Sequence, residues 1–84
     1  MKPATNIEAL KLPPNNIDAE QSVIGGLMLD NSAFDRIADI LHAEDFYRAD
    51  HRMIYLHAAR IISENKPMDT VTLAASLGQE DLNR

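Results

Sequence analysis

The sequence predicts an all-α domain, a small orthogonal bundle of about four helices at 17–29, 32–41, 49–64 and 69–77, with a short helical turn near 43–46. Three observations carry this reading. Apolar residues recur at three- and four-residue spacing through successive segments. Capping and stop residues bound those segments. The one stretch that alternates like a strand, 70–73, sits directly behind a helix cap. At 84 residues the chain has room for one small domain, and its 45% hydrophobic content is enough for a core.

Residues 1–14 read as an N-terminal tail punctuated by Pro3, Pro13 and Pro14. Ile7, Leu10 and Leu12 could instead form a short turn that docks on a neighbour. The head, 15–77, begins where Asn15 or Asn16 can cap helix 1 and Asp18 and Glu20 place negative charge in its first turn. Ile17, Ile24, Leu27 and Met28 supply its apolar side. Its interior holds Gly25 and Gly26, each costing about 1 kcal/mol against alanine in a helix. Close approach of another helix would offset that, either inside the fold or across a partner interface.

Ser32 is the expected N-cap of helix 2, with Asp35 three residues on in a capping-box arrangement. Phe34, Ile37, Ala38 and Leu41 form its stripe. Phe46 and Tyr47, in the connector before helix 3, are expected to plug the core. Helix 3 carries Ile54, Ala58, Ile61 and Ile62 on one face, widened by Tyr55 and Leu56, and stops at Asn65, Lys66 and Pro67. Asp69 is the expected N-cap of helix 4, and Met68 and Leu73 form a hydrophobic staple across it. Gly78 reads as its stop, leaving 78–84 as a stub.

The residue inventory excludes much chemistry. No cysteine is present, so disulfides, cysteine-ligated zinc, iron–sulfur clusters and a thiol nucleophile are absent. Gly25 and Gly26 follow no strand and precede no Gly-Lys-Ser/Thr, so no phosphate loop is encoded. His51 and His57 are six apart on one helix, poor spacing for chelation, and His42, Asp45 and His51 could converge only through the connector. No catalytic, cofactor-binding or metal-binding residue is assigned. Arg48, Arg52 and Arg60 form a weak basic face on helix 3, partly neutralised by Asp50 and Glu64. Thirteen acidic against eight basic residues give a net charge of -5, which argues against direct nucleic-acid binding by this chain. No apolar run approaches the roughly 20 residues of a membrane span, and no secretory signal opens the chain, which reads as cytoplasmic. What remains is protein–protein contact, and a free-standing acidic helical adaptor would satisfy these observations as well.

The run Pro13-Pro14-Asn15-Asn16-Ile17-Asp18-Ala19-Glu20-Gln21-Ser22-Val23-Ile24-Gly25-Gly26-Leu27-Met28-Leu29-Asp30-Asn31 resembles the opening of bacterial replicative DNA helicases of the DnaB family. Asp45-Phe46-Tyr47, His51-Arg52 with Ile54-Tyr55, and Pro67-Met68-Asp69 with Val71-Thr72-Leu73 agree with it in order, so the resemblance covers about 13–77. It implies the N-terminal collar domain of a hexameric, ATP-driven DNA helicase. Other helicase subunits and the DnaG primase are the implied partners. It also implies that ATP and Mg²⁺ belong to a separate C-terminal motor domain, so no catalytic residue maps onto this chain. In the family a long helical hairpin follows the head, pairing subunits and supplying much of the primase-binding surface. The sequence stops at Arg84, ahead of that hairpin. Primase binding and stable assembly by these residues alone are therefore not expected.

Overall fold

The computed structural model describes residues 16–82, with side chains described through Gln79. The expected tail at 1–14, with Ile7, Leu10 and Leu12, lies outside the described residues. Among those described are four α-helices and no strand: α1 Ile17–Leu29, α2 Phe34–Ile37, α3 Ala49–Ser63 and α4 Thr70–Leu82, with 3-10 turns at Asn31–Ala33 and Ala43–Asp45. The all-α bundle is as the sequence indicates. The helix α3 is its centre, packing against α1, α4 and the 43–45 turn.

The start of α1 is capped by Asn16, whose side chain accepts from the Ala19 N–H at 2.9 Å. It buries Glu20, Val23, Ile24 and Leu27 and ends at Asp30, whose backbone is extended. Helix 2 departs from expectation. The cap is Asp30, not Ser32: Asp30 Oδ1 accepts both the Ser32 N–H, at 3.1 Å, and the Ser32 hydroxyl. With its hydroxyl donated backwards to Asp30, Ser32 serves as the capped residue. The chain tightens into a 3-10 turn over Asn31–Ala33, and only one α-helical turn follows. The Ile40 and Leu41 N–H groups both reach the Ile37 carbonyl, which closes α2 early. This turn leaves the Leu41 carbonyl free to accept the Tyr55 hydroxyl at 2.7 Å. Burial, followed by the Asp45 charge, pushes the Tyr55 phenol up to about 12, so it stays a donor.

Helix α3 ends as its sequence predicts. Asn65 is left-handed, with φ 63°. Its N–H reaches the Ile62 carbonyl at 2.9 Å and the Lys66 N–H reaches the Ile61 carbonyl at 3.2 Å, the Schellman pattern. At the start of α4, Thr72 N–H donates to Asp69 Oδ1 and the Asp69 N–H donates to Thr72 Oγ1, both at 2.9 Å. Helix geometry puts Val71 and Leu73 on opposite sides, and Val71 is 74% exposed while Leu73 is buried. A strand would have placed them on one face. Gly78 does not stop α4, which continues to Leu82. Gly78 also keeps a negative φ, so the left-handed stop geometry is absent there.

The core joins Leu27 of α1, Ile37, Leu41, Phe46, Tyr55, Ala58 and Ile61 of α3, Met68 and Leu73. Phe46 lies against Tyr55 with ring centroids 5.0 Å apart. Tyr47, expected beside it, is instead exposed, in the bend that carries the chain from Phe46 into α3. Leu56 does not widen the α3 stripe either. It points to solvent, 59% exposed, on the opposite face from Ala58 and Ile61.

Candidate functional site

The junction of α1, the connector and α3 holds a buried ionisable pair. Glu20 is completely buried. Its Oε2 accepts the Tyr47 N–H, and its Oε1 accepts the Arg48 N–H at 3.4 Å and lies 2.7 Å from His51 Nδ1. Arg48 is the N-cap of α3, yet its own side chain makes no cap bond. The carboxylate of Glu20 thus supplies from α1 the acceptor and negative charge that the start of α3 needs. Burial alone would raise this carboxyl. The Tyr47 and Arg48 N–H groups and the His51 ring outweigh it and hold it below its ordinary value.

Sequence reading assigns Glu20 only to the first-turn dipole. A signal for more is present: 20, 23, 24 and 27 form one helical stripe, and Glu20 occupies its first position. Both carboxylate oxygens are engaged and no surface of Glu20 is open, so this junction fastens the fold and offers no place for a reacting molecule.

The three arginines of the expected basic face are spent on the chain itself. Arg48 clasps Asp50 through two bonds of 2.8 Å, and this holds the Asp50 carboxyl down at about 2. Arg52 Nη1 donates to the Phe46 carbonyl at 2.7 Å and the Tyr47 carbonyl at 3.1 Å, anchoring the connector. Arg60 donates to Ser76 Oγ on α4, which also lies 2.6 Å from His57 Nδ1. A polar cleft of about 420 Å³ opens beside this last group, between α3 and α4, with Glu64, Lys66 and Thr72 on its walls. Lys66 there lies 3.3 Å from Glu64.

The histidines do not converge. His42 lies 3.9 Å from Asp45, His51 faces Glu20 and His57 faces Ser76. Among the described residues no group of three or more potential ligands could hold a metal ion. No helix among them is long and apolar enough to cross a membrane.

Gly25 and Gly26 do not lie against another described helix of this chain. A Cβ at either position would meet no atom of the described residues within 4 Å. No described helix of this chain approaches them, so nothing in the described fold offsets their cost. They lie on the outer side of α1 together with Asp18, Ser22 and Leu29, and Leu29 is 91% exposed. The outer side of α3 likewise exposes Met53 and Leu56. Two helix faces, one flat and one apolar, thus have no partner among the described residues.

A family model described as DnaB-like helicase N terminal domain matches residues 12–84. A replicative DNA helicase DnaB of Buchnera aphidicola subsp. Acyrthosiphon pisum is 42% identical over 74 residues, covering 88% of this chain and 16% of that protein. The Pasteurella multocida replicative DNA helicase DnaB is 36% identical over 81 residues, 96% of this chain and 17% of its own length. That of Nostoc is 39% identical over 72 residues, 86% of this chain and 8% of its length. The chain thus spans about a sixth of the Buchnera and Pasteurella relatives. No solved structure matches it at a significant level. With the family model covering nearly the whole chain, the protein belongs to the DnaB-like helicase N-terminal domain family.

Proposed function

We propose that this chain is the collar head of a cytoplasmic replicative DNA helicase. It acts as a non-catalytic element that gives the ring its architecture and contacts other proteins. The protein of which it forms part unwinds DNA with ATP and Mg²⁺ held in a separate motor domain. Its partners are the neighbouring helicase subunits and, through the assembled collar, the DnaG primase.

One observation carries the reading: the likeness to proteins named replicative DNA helicase runs through 88–96% of this chain and falls within a small fraction of theirs. The side chains support a contact role. The buried ionisable pair and the arginines are engaged in holding helices together, while Leu29, Met53 and Leu56 stand exposed on helix faces.

A domain exchange tests it. A replicative helicase of this family has its own head replaced by residues 12–84, or deleted. The exchange should keep ring assembly and unwinding, and the deletion should impair both while the motor still hydrolyses ATP. Primase stimulation, measured in the same proteins, should follow the collar. Intact rings and full unwinding after deletion would sink the proposal.

A further inference from the structure

The polar cleft of about 420 Å³ between α3 and α4 has Arg60 on its wall. Arg36, Arg48 and Lys66 each pair with a carboxylate, at 3.6, 2.8 and 3.3 Å. Arg52 is given to two backbone carbonyls. Arg60 pairs with no carboxylate among the described residues, although acidic residues outnumber basic ones thirteen to eight in this chain. Its Nη2 donates to Ser76 Oγ at 2.5 Å and lies 3.4 Å from His57 Nδ1. A guanidinium can only donate, so Ser76 accepts from it and turns its own proton to His57 Nδ1, 2.6 Å away. His57 is buried and Ser76 half-buried, and together they hold the exposed guanidinium in one place. Its Nε and Nη1 bond to no described residue, so an edge of the group stays open to a ligand.

We infer that this cleft docks an acidic side chain of a partner polypeptide, whose carboxylate is received by Arg60. The planar guanidinium edge matches a carboxylate through two parallel bonds. Ser76 and His57 fix that edge before the ligand arrives, which lowers the ordering cost of binding. Ile61 and Ala75 give the cleft an apolar side, where the methylenes of the acidic residue and an apolar neighbour can lie. The walls also carry Lys66 and Glu64, already tied to each other. One positive charge, that of Arg60, is thus left unmatched, which suits a monoanion. A phosphate group would set its second negative charge against Glu64, so a carboxylate is the fitted ligand.

The cleft has room for one or two side chains and stands open to water, so a short segment binds it weakly. Its use is as one charged anchor within a larger contact. The inference goes beyond the collar reading. It assigns a ligand chemistry to one cleft, whatever assembly carries the domain.

The test is an NMR titration of the 84-residue chain with acetyl-glutamyl-leucine amide, its glutaminyl analogue and inorganic phosphate. The glutamyl peptide should bind in the millimolar range and shift amide signals of 60–66 and 72–79. The glutaminyl peptide should bind about tenfold more weakly, having lost the charge and the two parallel bonds. Phosphate should bind more weakly than the glutamyl peptide. Arg60→Met, at an exposed position, should abolish binding with little change in melting. Arg60→Lys should weaken it about tenfold, since an ammonium keeps the charge without the planar edge. Ser76→Ala should weaken it several-fold by releasing the guanidinium, which marks Ser76 as a positioning residue. The inference is overturned if the glutamyl peptide binds Arg60→Met as it binds the wild type. Equal binding of the glutaminyl peptide, tighter binding of phosphate, or shifts centred elsewhere would do the same. None of these results bears on the head exchange, so the collar reading and the cleft are tested separately.

Discussion

Asn31 and Met68, 37 residues apart, pair through one side chain as two strands of a sheet would pair through backbone. The Asn31 carbonyl oxygen accepts the Met68 N–H at 2.8 Å, and its amide donates to the Met68 carbonyl at 3.0 Å and to the Leu27 carbonyl at 2.7 Å. This fastens the end of α1 to the loop that starts α4, beside the fully buried Met68 side chain. Asn31→Ala should cost about 2–3 kcal/mol, because partly buried backbone groups lose their partners. Asn31→Asp should cost at least as much at neutral pH, since a carboxylate would face two carbonyl oxygens. It should recover part of the loss in acid. Urea unfolding at pH 7 and pH 4 checks both variants, and an Asn31→Ala protein as stable as the wild type would refute the account.

The start of α4 offers a graded pair of substitutions. Asp69→Ala removes the acceptor for the Thr72 N–H and should cost roughly 1 kcal/mol. Met68→Ala should cost more, about 2–5 kcal/mol, because Met68 is part of the core as well as one arm of a staple with Leu73. Thermal melts of the two variants should rank them in that order. Equal losses would mean that the Met68 site collapses around its cavity.

Gly26→Ala should stabilise the free chain by up to about 1 kcal/mol. The new methyl meets no atom of the described residues within 4 Å, and the helix gains intrinsic propensity. This is the opposite sign from the overpacking expected of a glycine wedged between two helices. A destabilised Gly26→Ala protein, measured by urea unfolding at micromolar concentration, would show that something does press on that face.

What is legible in the sequence, and what is not, divides by range. Caps and stops that act over three to five residues, such as Asn16, Asp69 and the Asn65 turn, can be read from neighbouring letters alone. Helix 2 misleads because Asp30 and Ser32 are both good caps, and the choice depends on which oxygen is free to accept. Tyr47 and Leu56 mislead because apolar character does not say which side of an element faces the core. The Asn31–Met68 pairing leaves no local trace, since neither residue's neighbours hint at the other. The glycines stand out as unusual in a helix, but the sequence holds no information on whether their partner lies inside the chain.

The Glu20 junction makes the fold acid-sensitive in a defined direction. Its carboxyl sits below the ordinary value of 4.5, held there against burial by the Tyr47 and Arg48 N–H groups and the His51 ring. Between the folded value and 4.5 the unfolded chain therefore binds a proton that the folded chain does not. Stability rises with pH wherever that is so. The contribution is complete above about pH 5 and is lost as pH falls through the folded value. Asp30 and Asp69 act in the same sense through their bonds to Ser32 and Thr72, so wild-type acid unfolding sums several groups. Glu20→Gln isolates one of them. At pH 7 it should cost about 1–3 kcal/mol, because a neutral amide is a weaker acceptor and its NH₂ finds backbone donors opposite it. As pH drops below 4.5 the wild type loses its advantage, and the two stability curves should converge. Urea denaturation from pH 7 to pH 3 measures the gap, and a gap constant across that range would show that the Glu20 charge does not hold α1 to α3.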